Sequence, residues 1–152
     1  MRWIISAGLL SGALLVGGCA HTMTAPPNFV AVDKADLGIY DYRAVSADGA
    51  VLALRSVRNR KEGTLEFWTQ AVINQLTAGQ GYKLAESESV KSDARADGRL
   101  LKLTAQRSGA TFRYLVAIFI SGDDILIAEA GGKEDVLKPR MQEIRGALLS
   151  AK

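Results

Sequence analysis

The residue types that most often carry chemistry are sparse in this chain and far apart. His21 is the only histidine and Cys19 the only cysteine. A Ser-His-Asp or Cys-His relay, or a zinc centre, needs a histidine fixed on a folded scaffold, whereas His21 falls in a stretch with no hydrophobic period and reads as a spare residue. Two carboxylate pairs are close in sequence, Asp123-Asp124 and Glu86 with Glu88. Paired acids can hydrolyse glycosides, and calcium takes six or more oxygens. The aspartates fall in a short turn and the glutamates share one face of a strand, so both pairs read as solvated polar positions. Gly79-Gln80-Gly81 and Gly131-Gly132 would cradle a phosphate only with a Walker lysine or with GxGxxG spacing after a strand, and the sequence has neither. They read instead as a helix terminator and a tight lead into the last helix. No catalytic residue, metal site or cofactor is expected.

The densest basic cluster is Arg55, Arg58, Arg60 and Lys61. It is a candidate surface for a partner or for lipid headgroups; the plainer reading is a solvated hairpin end. Elsewhere basic and acidic residues are interleaved, and the formal charge is +3, of which Arg2 contributes one. A nucleic-acid binder concentrates its basic residues on one face, often beside stacking aromatics, so no nucleic-acid partner is expected. Apolar content of 48% and charged content of 23% in 152 residues suit one folded domain. A lone cysteine forms no internal disulfide, which leaves packing to stabilise the fold.

The position of Cys19 explains why it is there. Arg2 is a short positive start, and Ile4–Val16 is an uncharged run of Ile, Ala, Leu, Val, Gly and Ser. That matches the apolar region of a signal peptide and falls short of the ~20 residues a membrane-spanning helix needs. The run ends in Leu15-Val16-Gly17-Gly18-Cys19-Ala20, which resembles the lipobox of bacterial lipoproteins. The resemblance implies cleavage between Gly18 and Cys19, with the Cys19 thiol taking two or three acyl chains such as palmitate and so leaving no thiol for catalysis. One chain anchors a protein only marginally, and two hold it stably. Ala20, where an Asp would retain the protein in the inner membrane, implies the periplasmic leaflet of the outer membrane. Residues 1–18 are thus read as the signal, 19–28 as a lipidated tether reaching at most roughly 30 Å, and 29–152 as the globular domain.

Within the domain, apolar runs and turn residues predict strands at Phe29–Val32, Ile39–Val45, Ala50–Val57, Tyr82–Val90, Gly98–Gln106, Thr111–Ile120 and Ile125–Ala130. Asp48-Gly49, Asp97-Gly98, Ser108-Gly109 and Gly122-Asp123 are the turn signals. Thr64 is a plausible N-cap for a helix to about Ala78, closed by Gly79 and carrying Leu65, Trp68, Val72 and Leu76 on one face. Phe67 lies off that stripe, as a core flank or a partner contact. A last helix from about Glu134 to Ala151 places Leu137, Met141, Ile144, Leu148 and Ala151 in one stripe, with Pro139 in its first turn. In Thr111–Ile120 one face is apolar throughout and the other is apolar over its C-terminal half, Leu115, Ala117 and Phe119, so its strand is covered on both sides. The fold class this predicts is α+β, an antiparallel sheet sandwiched between helices.

The order of elements, with Tyr40-Asp41-Tyr42, Gly81-Tyr82, Ala96-Asp97-Gly98-Arg99 and the Tyr114–Phe119 strand, resembles the PsbP-like α/β/α sandwich. That fold is shared by a photosystem II subunit, a Ran-binding protein and the envelope lipoprotein DcrB. The Pro and Trp that members often carry after the first aromatic strand are missing here. The resemblance implies action by binding and transfers no catalytic residue. The expected function is therefore a non-enzymatic binding or scaffolding module of the envelope, anchored through Cys19 and meeting an envelope protein. The alternatives are a ligand-binding or enzymatic domain with a pocket between sheet and helix, and a secretion-associated chaperone or immunity-type protein.

Overall fold

The computed structural model describes residues 20–152. Residues 1–18, read as a signal, and the expected anchor Cys19 lie outside the described residues. Seven strands form a single sheet: β1 (Phe29–Ala31), β2 (Tyr42–Ser46), β3 (Val51–Arg58), β4 (Lys83–Lys91), β5 (Asp97–Arg107), β6 (Ala110–Ser121) and β7 (Asp124–Lys133). Their order is β1-β2-β3-β7-β6-β5-β4, with every neighbouring pair antiparallel. Helix α1 (Leu65–Asn74) carries the chain from β3 to the far edge at β4; α2 (Glu134–Leu137) and α3 (Met141–Leu149) follow β7.

The two-sided character of β6 sets the architecture, as its sequence predicts. Leu115, Ala117 and Phe119 enter a core with Leu52, Leu54, Leu126, Ile144 and Leu148 under α3. Val116 and Ile118 enter a second core with Val72, Leu76, Leu101, Leu103 and Ile127 under α1. The sheet is the filling of an α/β/α sandwich.

Thr64 caps α1, its Oγ1 accepting from Phe67 N at 3.2 Å. The helix does not end at Gly79: it widens into a π turn over Gln75–Gly79, and Gly81, at φ 72°, makes the left-handed exit. There Tyr82 N donates to Leu76 O at 3.0 Å, one of the carbonyls a helix end leaves free. The C-terminal helix is likewise broken. Pro139 sits in a 3₁₀ turn, Lys138–Arg140, between α2 and α3, because its missing N–H and ring do not fit a continuing helix interior. The stripe still faces inward through Leu137, Ile144, Leu148 and Ala151.

Two turn assignments are corrected. Ser108-Gly109 makes a hairpin with φ of 49° and 78°, but Asp97-Gly98 lies within β5, and the β4–β5 turn falls earlier, where Ser92 N donates to Ala96 O at 2.9 Å. Gly131-Gly132 belongs to β7 and not to a lead into the helix. Both Gly98 and Gly131 face an aromatic ring across a strand pair, Phe119 and Tyr114 respectively. Close approach, not turning, is what requires a glycine there.

The expected tether is docked. Thr22 and Lys152 exchange backbone hydrogen bonds of 2.9 and 3.1 Å, Thr24 N donates to Ser150 Oγ at 2.8 Å, and Met23 is buried in the α3-side core. Burying a methionine contributes about 1.5–3 kcal/mol, enough to hold down a stretch too short to show a period in sequence. Of the two sheet edges, β1 is three residues long, and β4 is mostly exposed, with a bulge between Leu84 and Glu86.

Candidate functional site

Helix α1 leaves part of its own sheet face uncovered. Register aligns Arg43, Ala53, Glu129 and Val116 as one rung across β2, β3, β7 and β6. The helix covers the β5–β6 side through Val72 and Leu76. Beyond it a groove of about 310 Å³ runs over Ala53 and Glu129, walled by Tyr40, Tyr82, Phe112 and Tyr114. A second cavity of about 250 Å³, toward the end of α1, shares Tyr40, Tyr114 and Glu129 with it. The Tyr114 ring fits because Gly131 lies opposite, where a Cβ would come within 3.1 Å of it.

Glu129 forms the floor and is 7% exposed. Its Oε1 faces Arg55 Nη2 at 3.4 Å, a long contact for an ion pair. Tyr82 stacks on Tyr114 with centroids 5.2 Å apart, and the Arg107 guanidinium lies 5.1 Å from the Tyr82 centroid. Arg43 lies 5.7 Å from the Tyr40 centroid. Such a surface accepts and donates hydrogen bonds and stacks against flat or cationic groups.

Burial, then the charge and hydrogen bonding of Glu129, then Tyr40 and Tyr82, push the Tyr114 phenol well above its ordinary 10.0. The native state holds the neutral phenol, while an unfolded chain ionises near 10.0. The stabilisation is therefore complete below that pH and is lost as pH rises through it toward the folded value. Urea unfolding at a series of pH values should show stability falling above pH 10, and Tyr114→Phe should flatten that fall. An unchanged slope in the variant would place the alkaline sensitivity elsewhere.

The basic cluster named in the sequence is divided. Arg55 lines the second cavity, facing Glu129. Arg58 is the last residue of β3, 3.6 Å from Asp123 and 3.5 Å from Asp124, with Arg60 and Lys61 exposed in the loop that follows. His21 lies beside the β6–β7 turn, its Nε2 3.5 Å from Asp124 Oδ2. The glutamates on β4 are paired and not simply solvated, Glu86 to Lys102 at 3.1 Å and Glu88 to Arg145 at 3.2 Å. Phe67 is 60% exposed, edge-on to Trp68 at 5.3 Å. Among the described residues no three His, Cys, Asp or Glu converge as metal ligands, and no helix is long and apolar enough to cross a membrane.

Sequence reasoning missed Glu129 and the tyrosines around it. Glu129 did leave a signal, a lone charge in the run Ile125–Ala130, which is otherwise apolar on both faces. Tyr40, Tyr82 and Tyr114 stand in the stretches that carry the family resemblance, but only the sheet order brings them together in one groove.

No family model matches the chain, and no curated protein matches it by sequence. Solved structures do match in fold. The cyanobacterial PsbP of Synechocystis sp. PCC 6803 superposes with a TM-score of 0.63 at 15% identity, covering 95% of this chain and 99% of that one. LpqN of Mycobacterium tuberculosis, a protein involved in cell envelope biogenesis, gives 0.60 at 11% identity over 87% of this chain and 82% of its own. The Ran-binding protein Mog1p of Saccharomyces cerevisiae gives 0.57 at 13% identity over 89% and 86%. The fold is the PsbP-like one.

Proposed function

We propose that this chain is a non-catalytic binding module of the cell envelope, held there by lipid on Cys19, and that its envelope partner docks in the groove over Glu129. The groove carries the reading. A buried ion pair adds little to stability over apolar packing, and here it lies under a half-covered sheet face ringed by tyrosines, the composition of recognition surfaces. A phenol kept protonated beside a carboxylate matched to a guanidinium presents fixed donors and acceptors. The lipobox-like sequence, with Ala20 after Cys19, supports the periplasmic leaflet of the outer membrane. LpqN and Mog1p share the scaffold, which supports a fold suited to presenting surfaces.

Photo-cross-linking in intact cells tests this. A photoreactive residue at position 43 should trap one reproducible envelope protein that the same residue at position 84, on the exposed β4 edge, does not. Tyr114→Ala should weaken that complex by about tenfold or more. Equal yields from positions 43 and 84 would rule out the groove as the docking site. The cavity volume favours a second reading, since about 310 Å³ lies within the range of small-molecule sites. Native mass spectrometry separates the two, because a small ligand would travel with the purified protein.

A further inference from the structure

We infer that the loop between β3 and α1 is the face the domain lays on the bilayer, with Arg60 and Lys61 against phospholipid phosphates and Phe67 in the interface. The inference rests on the reading of Cys19 as the lipid-bearing residue. It adds which way the anchored domain is turned.

The docked N-terminal segment carries the argument. The Thr22–Lys152 pairing and buried Met23 fix where the chain leaves the domain. His21 then reaches Asp124, and Cys19 is at most about 7 Å of extended chain from His21. From Asp124 a continuous set of contacts leads to the loop. Arg58 bridges Asp124 and Asp123, and Asn59 N donates to Asp123 O at 2.7 Å. The Asn59 side chain accepts from Gly63 N at 2.8 Å and from Trp68 Nε1 at 3.1 Å, and it donates to Gly63 O at 2.9 Å. Trp68 packs so close to Gly63 that a Cβ there would lie 2.5 Å from Nε1. Phe67, in the first turn of α1, is thus held outward next to a braced loop.

The loop's chemistry suits headgroups. Arg58 is answered by Asp123 and Asp124. Glu62 is the one acid within the loop, and Arg60 and Lys61 have no ion-pair partner among the described residues. Arg60 and Lys61 are both exposed, free at the surface to reach phosphates, which arginine binds through paired N–H donors. An exposed aromatic beside long basic side chains is the composition of a membrane-interface contact. The groove over Glu129 extends to Gly49, Phe112 and Gly132, at the other end of the same strands, and so opens away from the membrane.

The test uses the intact lipoprotein in vesicles of phosphatidylethanolamine and phosphatidylglycerol. With the Cys19 thiol acylated, Phe67→Cys and Ser108→Cys each introduce a single free thiol for a fluorophore, and a quencher is carried on the lipid. Label at position 67 should be quenched and label at position 108 spared. Glu62→Cys should repeat the result without disturbing Phe67. Each basic residue at an anionic surface is worth roughly fivefold in partitioning, so Arg60→Glu with Lys61→Glu should cut the selective quenching by about tenfold or more. Mass spectrometry of the same sample reads the lipid on Cys19. Lipid present with equal quenching at 67 and 108 overturns the orientation alone. Lipid absent overturns the anchor, and this inference with it.

Discussion

Gly98→Ala is expected to destabilise the domain by about 3 kcal/mol, a large share of the 5–15 kcal/mol typical of a folded domain. A Cβ at this position would stand 2.3 Å from Phe119 Cδ1, 2.4 Å from Cε1 and 2.7 Å from the Ile118 carbonyl oxygen. Phe119 is fully buried among Leu100, Leu126 and Ile144, so its ring has nowhere to go, and the carbonyl belongs to a paired strand. Thermal unfolding should show a fall of about 10 °C. Gly79→Ala is the control, because a Cβ there meets nothing within 4 Å and the backbone is in the right-handed region; it should be neutral or slightly stabilising. Phe119→Leu should cost less in the Gly98→Ala background than alone, since it removes the atoms in collision. Near-wild-type stability of Gly98→Ala would mean that β5 and β6 pair in another register.

Cys19→Ser is expected to abolish stable anchoring. Near neutral pH a thiol has a usable thiolate fraction, whereas a serine hydroxyl has essentially none. The variant should therefore carry no acyl chain and either remain uncleaved or lose its hold on the membrane. The expected change is all-or-none because affinity rises steeply with acyl carbon, by about 0.8 kcal/mol per buried CH₂. Membrane fractionation with intact-mass measurement reads both outcomes. Normal processing with unchanged retention would overturn the anchor and leave the groove untouched.

The strand pattern was legible because β6 is apolar on both faces over its C-terminal half and most of its neighbours end in glycine turns. Thr64 was legible because capping is a local event. Local signals failed where distant residues decided the geometry. Asp97-Gly98 looks like a turn until Phe119 arrives from β6 to occupy the glycine's missing side chain. Met23 stands alone among Thr, Ala and Pro, and only the C-terminus of the chain supplies the slot that buries it. Pro139 left the inward stripe intact while breaking the helix that carries it. The groove was the least legible part: its tyrosines come from three separated segments, and α1 covers Ile125 and Ile127 of β7 but leaves Ala53 and Glu129 open because of where it crosses the sheet. A charge in a strand buried on both faces, as at Glu129, is the one mark the sequence did offer.

The edges of the sheet would have a consequence for the chain if it is anchored on a membrane as proposed. Surface attachment concentrates copies and aligns them, so an open strand on one molecule meets the same strand on the next far more often than in solution. Exposed edges template strand addition, and charges, bulges and short strands block it. Here β1 offers only three residues, while β4 carries Lys83, Glu86, Glu88 and Lys91 and a bulge between Leu84 and Glu86. Copies crowded side by side on the membrane would thus be kept from zipping into a continuous sheet.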